Sequence, residues 1–199
     1  VLGPQEPSDE QLIAAVATGD AAAFDALIVR HGTAMRRFAR ALAPRDEADD
    51  VLQDALLDLY RGAATYAQRA SVRAWLFQLV RHRAFHHRKA RNRSGTPTEE
   101  CSLAELGREA GHGAEATPIE RGLVADAALD LETRDALRAA LATLDDDARE
   151  VLWLRDVEGL RGAEAAAALG LELGAMKTRL HKARMALMAA LRSDEGEHG

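Results

Sequence analysis

A single cysteine, Cys101, stands among 199 residues. No disulfide can form within the chain, and a cysteine-based zinc site is not expected. A reducing, cytoplasmic setting fits. Aromatic residues make up only 4% of the chain, so cores must be built mostly from Leu, Val and Ala. No apolar run approaches the ~20 residues of a membrane span. No basic, apolar, small-residue leader is visible, so export is not expected. Val1 to Pro7 are set aside from fold reasoning. No strand pattern and no internal repeat are found. No Ser-His-Asp order, cysteine nucleophile, metal cluster or phosphate loop stands out, so catalytic residues, cofactor and metal are all expected to be none.

What the chain does have is charge, unevenly spread. Hydrophobic residues reach 47% and charged residues 29%, with a net charge of −6. This is the composition of a folded domain or two. From Leu59 to Thr98 there is no Asp or Glu but nine Lys or Arg. The stretch LVRHRAFHHRKARNR, Leu79 to Arg93, alone holds six of them and three His. A second acid-free stretch, Leu173 to Arg192, carries Lys177, Arg179, Lys182, Arg184 and Arg192. Between them, Ser94 to Asp135 has a net charge of −7. Two basic faces flanking an acidic connector point to nucleic acid despite the acidic total.

The apolar periodicity is helical throughout. Ser8 with Gln11 forms a capping-box pattern ahead of Leu12, Ile13 and Val16. Gly19-Asp20 breaks that helix. A second is expected from Ala21 to about Ala43, with Phe24, Leu27, Ile28, Met35 and Phe38 in register and Pro44 ending it. A third runs from Asp46 to about Arg61 and stops at Gly62. Acids Asp46, Glu47, Asp49 and Asp50 in its first turn complement the helix dipole. A fourth starts near Ser71 and reaches about Arg93, with an apolar stripe of Val72, Leu76, Leu79 and Val80. Residues 94–134 read as a linker rich in Gly and Pro. Helices at 135–144, 146–157, 161–168 and 173–192 complete a second domain. The expected fold is all-α: two small helical domains, 8–93 and 135–192, joined by a flexible acidic linker.

Within GLRGAEAAAALGLELGAMKTRLHKAR a helix ends at Leu169, Gly170 turns, and Leu173 starts another. That is a helix-turn-helix, whose second helix can enter a DNA major groove. Met176, Leu180, Ala183, Leu187 and Leu191 share one face of it and should pack inward. Thr178, His181 and Lys182 share the opposite face, flanked by Lys177 and Arg184. Polar groups early on such a helix can meet base edges, and later cations suit phosphates. A basic, solvated surface helix is the other reading of this segment alone. His82 and His86 are four apart, a spacing that can chelate a metal. No carboxylate lies near them in sequence to complete a site, so imidazoles near phosphates are the preferred reading, with binding sensitive to pH.

Three motifs occur in order: DEADDVLQDALLDLYR, ASVRAWLFQLVRHRAFHHRKAR and LATLDDDAREVLWLRDVEGLRGAEAAAALGLELGAMKTRLHKARMAL. Together they resemble a bacterial sigma factor of the extracytoplasmic-function (ECF) group, over about Asp9 to Arg93 and Ala136 to Leu191. The resemblance implies that the first domain, region 2, binds core RNA polymerase and melts the promoter −10 element. It implies that the second domain, region 4, reads the −35 element. Core docking then falls on Asp49, Asp50, Gln53, Asp54 and Leu57, against a coiled coil of the largest polymerase subunit. The −10 non-template strand falls to Tyr66, Arg69, Ser71, Arg73, Arg81, His82, Arg83, His86, Arg88 and Lys89. Arg91 and Arg93 are further candidates for phosphates. The −35 duplex falls to Ala175, Lys177, Thr178, Arg179, His181, Lys182 and Arg184. Trp75 can stack a base but is better read as core. If about five cations of the basic run engage phosphates, log affinity falls against log salt with a slope near −4.

The resemblance also implies an anti-sigma factor as a partner. The linker is expected to thread toward the RNA path of the enzyme. At about 40 residues it spans roughly 35 Å when flexible and about 130 Å when stretched. This chain departs from the family pattern in places. His82, His86 and Arg88 stand where Asn, Asp and Leu are common, so no −10 consensus is carried over. Arg161-Gly162 and Ala175-Met176 stand where Ser-Tyr and Thr-Val are common. The reading from another class is a free-standing helix-turn-helix regulator, which binds duplex DNA without polymerase.

Overall fold

A computed structural model describes residues 6–92, 137 and 139–197, with backbone alone for 193–197. The linker 94–134, Arg93 and Cys101 lie outside the described residues. The chain divides into two compact units, Val1–Ala110 and Gly111–Gly199. Among the described residues every regular element is helical.

The first unit begins with α1 (Asp9–Ala17). Its capping box is formed: Gln11 N donates to Ser8 Oγ at 3.3 Å and Ser8 N donates to Gln11 Oε1 at 2.8 Å. Gly19 takes φ 92, a conformation open chiefly to glycine. Asp20 then caps α2 (Ala21–Leu42) by accepting from Ala22 N and Ala23 N. Each cap contributes about 1 kcal/mol. Along α2 the residues Ala23, Leu27, His31, Met35, Phe38 and Leu42 are buried at three- and four-residue steps. They face α1, α3 (Ala48–Gly62) and α4 (Val72–Asn92). Phe38 and Phe77 meet edge-to-face at 5.3 Å in the centre of this core. Trp75 is 8% exposed, so it belongs to the core rather than to a base-stacking surface.

Two boundaries differ from expectation. Helix α3 starts at Ala48, because Glu47 N and Ala48 N both bond the Pro44 carbonyl in a tight turn. Asp46 and Glu47 therefore precede the helix, and only Asp49 and Asp50 lie in its first turn. Gly62 ends α3 but does not stop the chain turning, which continues as a short 3-10 segment, Ala63–Thr65.

The second unit comprises α5 (139–143), α6 (Asp146–Leu152), α7 (Gly162–Leu169) and α8 (Leu173–Glu197). Asp145 Oδ1 caps α6 by accepting from Ala148 N at 2.7 Å. Arg149 reaches back to the Leu141 and Leu144 carbonyls, at 3.2 and 2.7 Å, and so caps the end of α5. Beyond Leu152 the helix widens into a π turn, Trp153–Val157. Arg155 is buried there and donates to the Leu160 carbonyl. The core is Val151, Leu154, Leu160, Ala165, Leu169, Met176, Leu180, Ala183 and Leu187. Gly170, at φ 64, makes the left-handed turn after α7, and Leu171 N bonds back to the Ala166 carbonyl at 2.9 Å.

Gly162 fits tightly: a Cβ there would lie 3.3 Å from Leu173 Cδ1. A side chain there would require the Leu173 side chain to shift by a few tenths of an ångström. The inward stripe of α8 is as expected except for Leu191, which is only half-buried. The helix also runs past Arg192 to Glu197, since no proline interrupts 193–197.

Candidate polymerase and nucleic-acid interfaces

Helix α3 turns Val51, Leu52, Ala55, Asp58 and Leu59 inward. Helical spacing then puts Asp50, Gln53 and Leu57 on the outside, all exposed. Tyr60 continues this stripe at 54% exposure, three residues after Leu57. The sequence reading missed it, although the spacing signalled it. The Phe24 ring braces Tyr60 edge-to-face at 5.8 Å. Asp49 is exposed beside the stripe, 3.9 Å from Arg40. Asp54 differs, because it turns toward α4 and its Oδ2 lies 2.9 Å from His87 Nε2. The stripe joins acid, amide, aliphatic and aromatic groups on one face, a mixture suited to a protein partner.

Helix α3, together with Glu47 just before it, is stitched to α4 by three such pairs. Buried Asp58 takes both Nε and Nη2 of Arg83. Asp54 meets His87, and Glu47 takes Arg91 Nη1 at 2.9 Å. On α4 the partners fall at steps of four, on the edge next to α3. Arg83 and Arg91, expected at phosphates, are therefore held by carboxylates of their own unit. Arg81, Arg88 and Lys89 are half-exposed. Arg88 also lies over the exposed ring of Phe85, 5.6 Å from its centre.

The segment before α4 is tightly built. Tyr66 donates to the Ala70 carbonyl at 2.5 Å and its ring leans on Trp75 at 5.4 Å. Burial, reinforced by Glu10 and Asp9, pushes its hydroxyl pKa up to about 12. Ser71 caps α4 by accepting from Ala74 N at 3.2 Å. Between them Gln68 sits at φ 55, an uncommon conformation for a residue with a side chain. Arg69 is exposed, and Arg73 lies over the Phe77 ring at 5.7 Å.

His82 and His86 meet on the same helix. Their Nε2 atoms are 2.7 Å apart and their rings cross at 78°. Burial pushes both imidazoles below the ordinary histidine range, and the nearby cations Arg81, Arg83 and Lys89 add to this while Asp58 opposes it. His82 Nδ1 is buried and has no partner. Among the described residues no group of three or more His, Cys, Asp or Glu converges on a metal position.

On α8, Ala175, Lys177, Thr178, His181 and Lys182 are exposed together at the start of the helix. Two other expected contacts are tied inward. Arg179 Nη1 lies 3.1 Å from Asp147 across a groove of ≈ 510 Å³ lined also by Ala175, Thr178 and Lys182. Arg184 clamps Asp156 with two hydrogen bonds, at 3.0 and 2.5 Å. Sequence could place these arginines on the helix but not show their partners, which lie on another helix.

Residues 27–94 match the sequence profile of sigma-70 region 2, and residues 134–187 that of sigma-70, region 4. The ECF RNA polymerase sigma factor SigM of Mycobacterium tuberculosis is 33% identical over 191 residues, covering 95% of this chain and 87% of that protein. The RNA polymerase sigma factor CnrH of Cupriavidus metallidurans is 33% identical over 192 residues, covering 95% and 97%. The solved structure of CnrH in complex with the cytosolic domain of CnrY superposes with a TM-score of 0.64 at 27% identity, covering 94% of this chain and 98% of that one. Among the described residues no helix is long and apolar enough to cross a membrane.

Proposed function

The chain belongs to the ECF sigma factors of bacterial RNA polymerase, and on that premise we propose which of its residues carry each part of the work. As a sigma factor it binds core polymerase and directs promoter-specific initiation. Region 2 spans 8–93, the linker 94–134 and region 4 135–192. Core docking uses the α3 stripe of Asp49, Asp50, Gln53, Leu57 and Tyr60, with Asp54 at its edge. The exposed acid and amide groups supply specific pairing, and Leu57 and Tyr60 supply apolar contact.

The −35 element is read by the face of α8 that follows the Gly170 turn: Ala175, Lys177, Thr178, His181 and Lys182. That exposed polar and cationic cluster, at the start of a helix whose other side is core, is the observation that carries the reading. Arg179 and Arg184 hold the helix against α6 and its π turn. In region 2, Arg81, Arg88, Lys89 and Arg69 face the −10 strand, with His82 and His86 at the positions that read it. Tyr66, Ser71 and Arg73 shape the segment before α4. With Arg83 and Arg91 engaged by acids, the salt slope from this helix is expected to be shallower than the value near −4 that about five phosphate-bound cations would give.

Sigma factors are not enzymes, and this chain is read as catalysing no reaction itself. A cytoplasmic location follows from work on the chromosome. The protein-bound state of its relative CnrH supports an anti-sigma partner here. A photo-crosslinking amino acid tests the assignment directly. Placed at Gln53 it is expected to label the largest polymerase subunit, and at His181 the −35 duplex. Labelling of neither by active holoenzyme rejects both surfaces.

A further inference from the structure

His82 and His86 face each other through Nε2 at 2.7 Å. Two nitrogens at that distance need one proton between them. A neutral imidazole carries its proton on one nitrogen and a lone pair on the other, so only two arrangements are open. The surroundings choose between them. His82 Nδ1 is buried without a partner. A proton there would be a buried orphan donor, which is costlier than a lone pair in the same place. The proton of His82 therefore sits on Nε2 and donates to the lone pair of His86 Nε2. His86, whose Nε2 is now an acceptor, must carry its own proton on Nδ1, and His86 is half-exposed.

We propose that His82 and His86 act as one hydrogen-bonded unit with a fixed tautomer order, in which His82 locks His86 to present an Nδ1–H donor to the −10 strand. The DNA half of this rests on the reading of α4 as the −10 helix; the tautomer half does not. His86 selects an acceptor, a base carbonyl or ring nitrogen, and rejects a donor at the same place. His82 is a positioning residue that acts through His86.

The unit also has a built-in acid sensitivity. His86 Nε2 cannot take a proton without setting two N–H groups against each other, and a proton on His82 Nδ1 would find no acceptor. The charged groups around the pair are Asp58 on α3 and Arg81, Arg83, His87 and Lys89 on α4. Asp58 is the one anion among them, and Arg83 already occupies it. Protonation must therefore break the pair and free His86 to rotate. The same tautomer order opposes a metal bridging both Nε2 atoms, since His82 would need its proton moved to the buried, unpartnered Nδ1.

The test has two arms. In the full chain near pH 7.5, long-range nitrogen-proton NMR of the imidazoles is expected to show His82 protonated at Nε2 and His86 protonated at Nδ1. Rapid tautomer exchange in either ring, or His86 protonated at Nε2, overturns the unit whatever the protein does on DNA. In the second arm, promoter opening by holoenzyme is followed from pH 8 to pH 5.5 at fixed salt. Asn at residue 86 carries its amide near the Nδ1 position and Gln near the Nε2 position. His86→Gln is expected to lose about tenfold more opening than His86→Asn. Opening by the unsubstituted protein, divided by that of His86→Asn, should fall about tenfold per pH unit below the midpoint of the pair. His82→Gln, which keeps an N–H at the Nε2 position, should recover most of what His82→Ala loses. Equal losses for Asn and Gln at 86, with a flat ratio against pH, overturn the donor role. Absence of promoter opening by the unsubstituted holoenzyme would instead reject the sigma reading, not the pair.

Discussion

Helices α4 and α8 are both basic, yet they manage their charge in different ways. Helix α4 packs against α2 and α3 along most of its length and buries Val72, Trp75, Leu76, Phe77, Leu79, Val80 and Ala84. So broad an apolar face pushes its cations to the rims. Along the rim shared with α3, Arg83, His87 and Arg91 meet Asp58, Asp54 and Glu47. Helix α8 buries a narrower stripe, Met176, Leu180, Ala183 and Leu187. It ties down Arg179 and Arg184 and leaves Lys177, His181 and Lys182 in solvent. A count of basic residues therefore overstates the charge available to DNA on both helices.

The largest effect should come from the apolar side of this contrast. Phe77→Ala, beneath α4 and against Phe38, should destabilise region 2 by about 3–5 kcal/mol and leave region 4 unchanged. Hydrogen exchange resolved by segment would register it, and equal loss of protection in both units would show that they are not independent. Asp50→Arg reverses a charge on the exposed stripe of α3. It should weaken core binding by about a hundredfold or more while thermal unfolding stays where it was. Transcription at the unsubstituted level would mean that core docking lies elsewhere.

Asp58→Ala removes a carboxylate that is 3% exposed and releases Arg83. A buried pair broken from one side costs about 3–5 kcal/mol, and Arg83 can turn partly into water, so about 2 kcal/mol is expected. The freed guanidinium should also steepen the salt dependence of promoter binding by roughly 0.7. Stability unchanged, with an unchanged slope, would undo the contrast between tied and exposed cations. On α8, Lys182→Ala should cost about 1 kcal/mol of −35 binding and flatten the slope by about 0.9. Arg184→Ala should chiefly lower the melting temperature. If the two substitutions swap these signatures, the sorting of α8 is wrong.

The smallest effect is on acid stability. In the fold the His82 and His86 pair takes up a proton less readily than an unfolded histidine, whose pKa is 6.5. Their share of stability is whole above that pH and shrinks as pH falls below it. Asp9 adds to this further down. Its burial alone would raise its pKa, but hydrogen bonds and charge from Arg30 and His31 outweigh that and hold it below 3.8. Its contribution is kept above 3.8 and lost as pH falls through the folded value. Denaturant midpoints for region 2 should therefore drop from pH 7 to pH 5, and again toward pH 3. A midpoint that rises on acidification would have the wrong sign for both groups.

Local chemistry was legible in the sequence. Ser8 with Gln11, the Gly19-Asp20 break and the Gly170 turn each act through neighbours within a few residues, and the structure has all of them. The apolar stripes were legible for the same reason. What could not be read depends on partners far along the chain. Arg83 and Asp58 are 25 residues apart, and Arg184 and Asp156 are 28. Their pairing is set by how two helices align, which no local pattern encodes. Tyr60 lay within reach of the spacing rule but outside the charge pattern that drew attention to α3. The π turn at Trp153–Val157 has no local marker in the sequence. Its visible correlate is the bond from Arg155 to the Leu160 carbonyl beyond the helix end.

The central claim is that one chain carries a core-docking surface and two promoter-reading surfaces. It is tested most directly by transcription in vitro with sigma-free core polymerase, this protein and fragmented DNA from its own genome, mapping the RNA 5′ ends. The account requires discrete starts that share two upstream elements, lost with Asp50→Arg and weakened with Lys182→Ala. Folded protein that binds duplex DNA but yields no specific start with active core would contradict it.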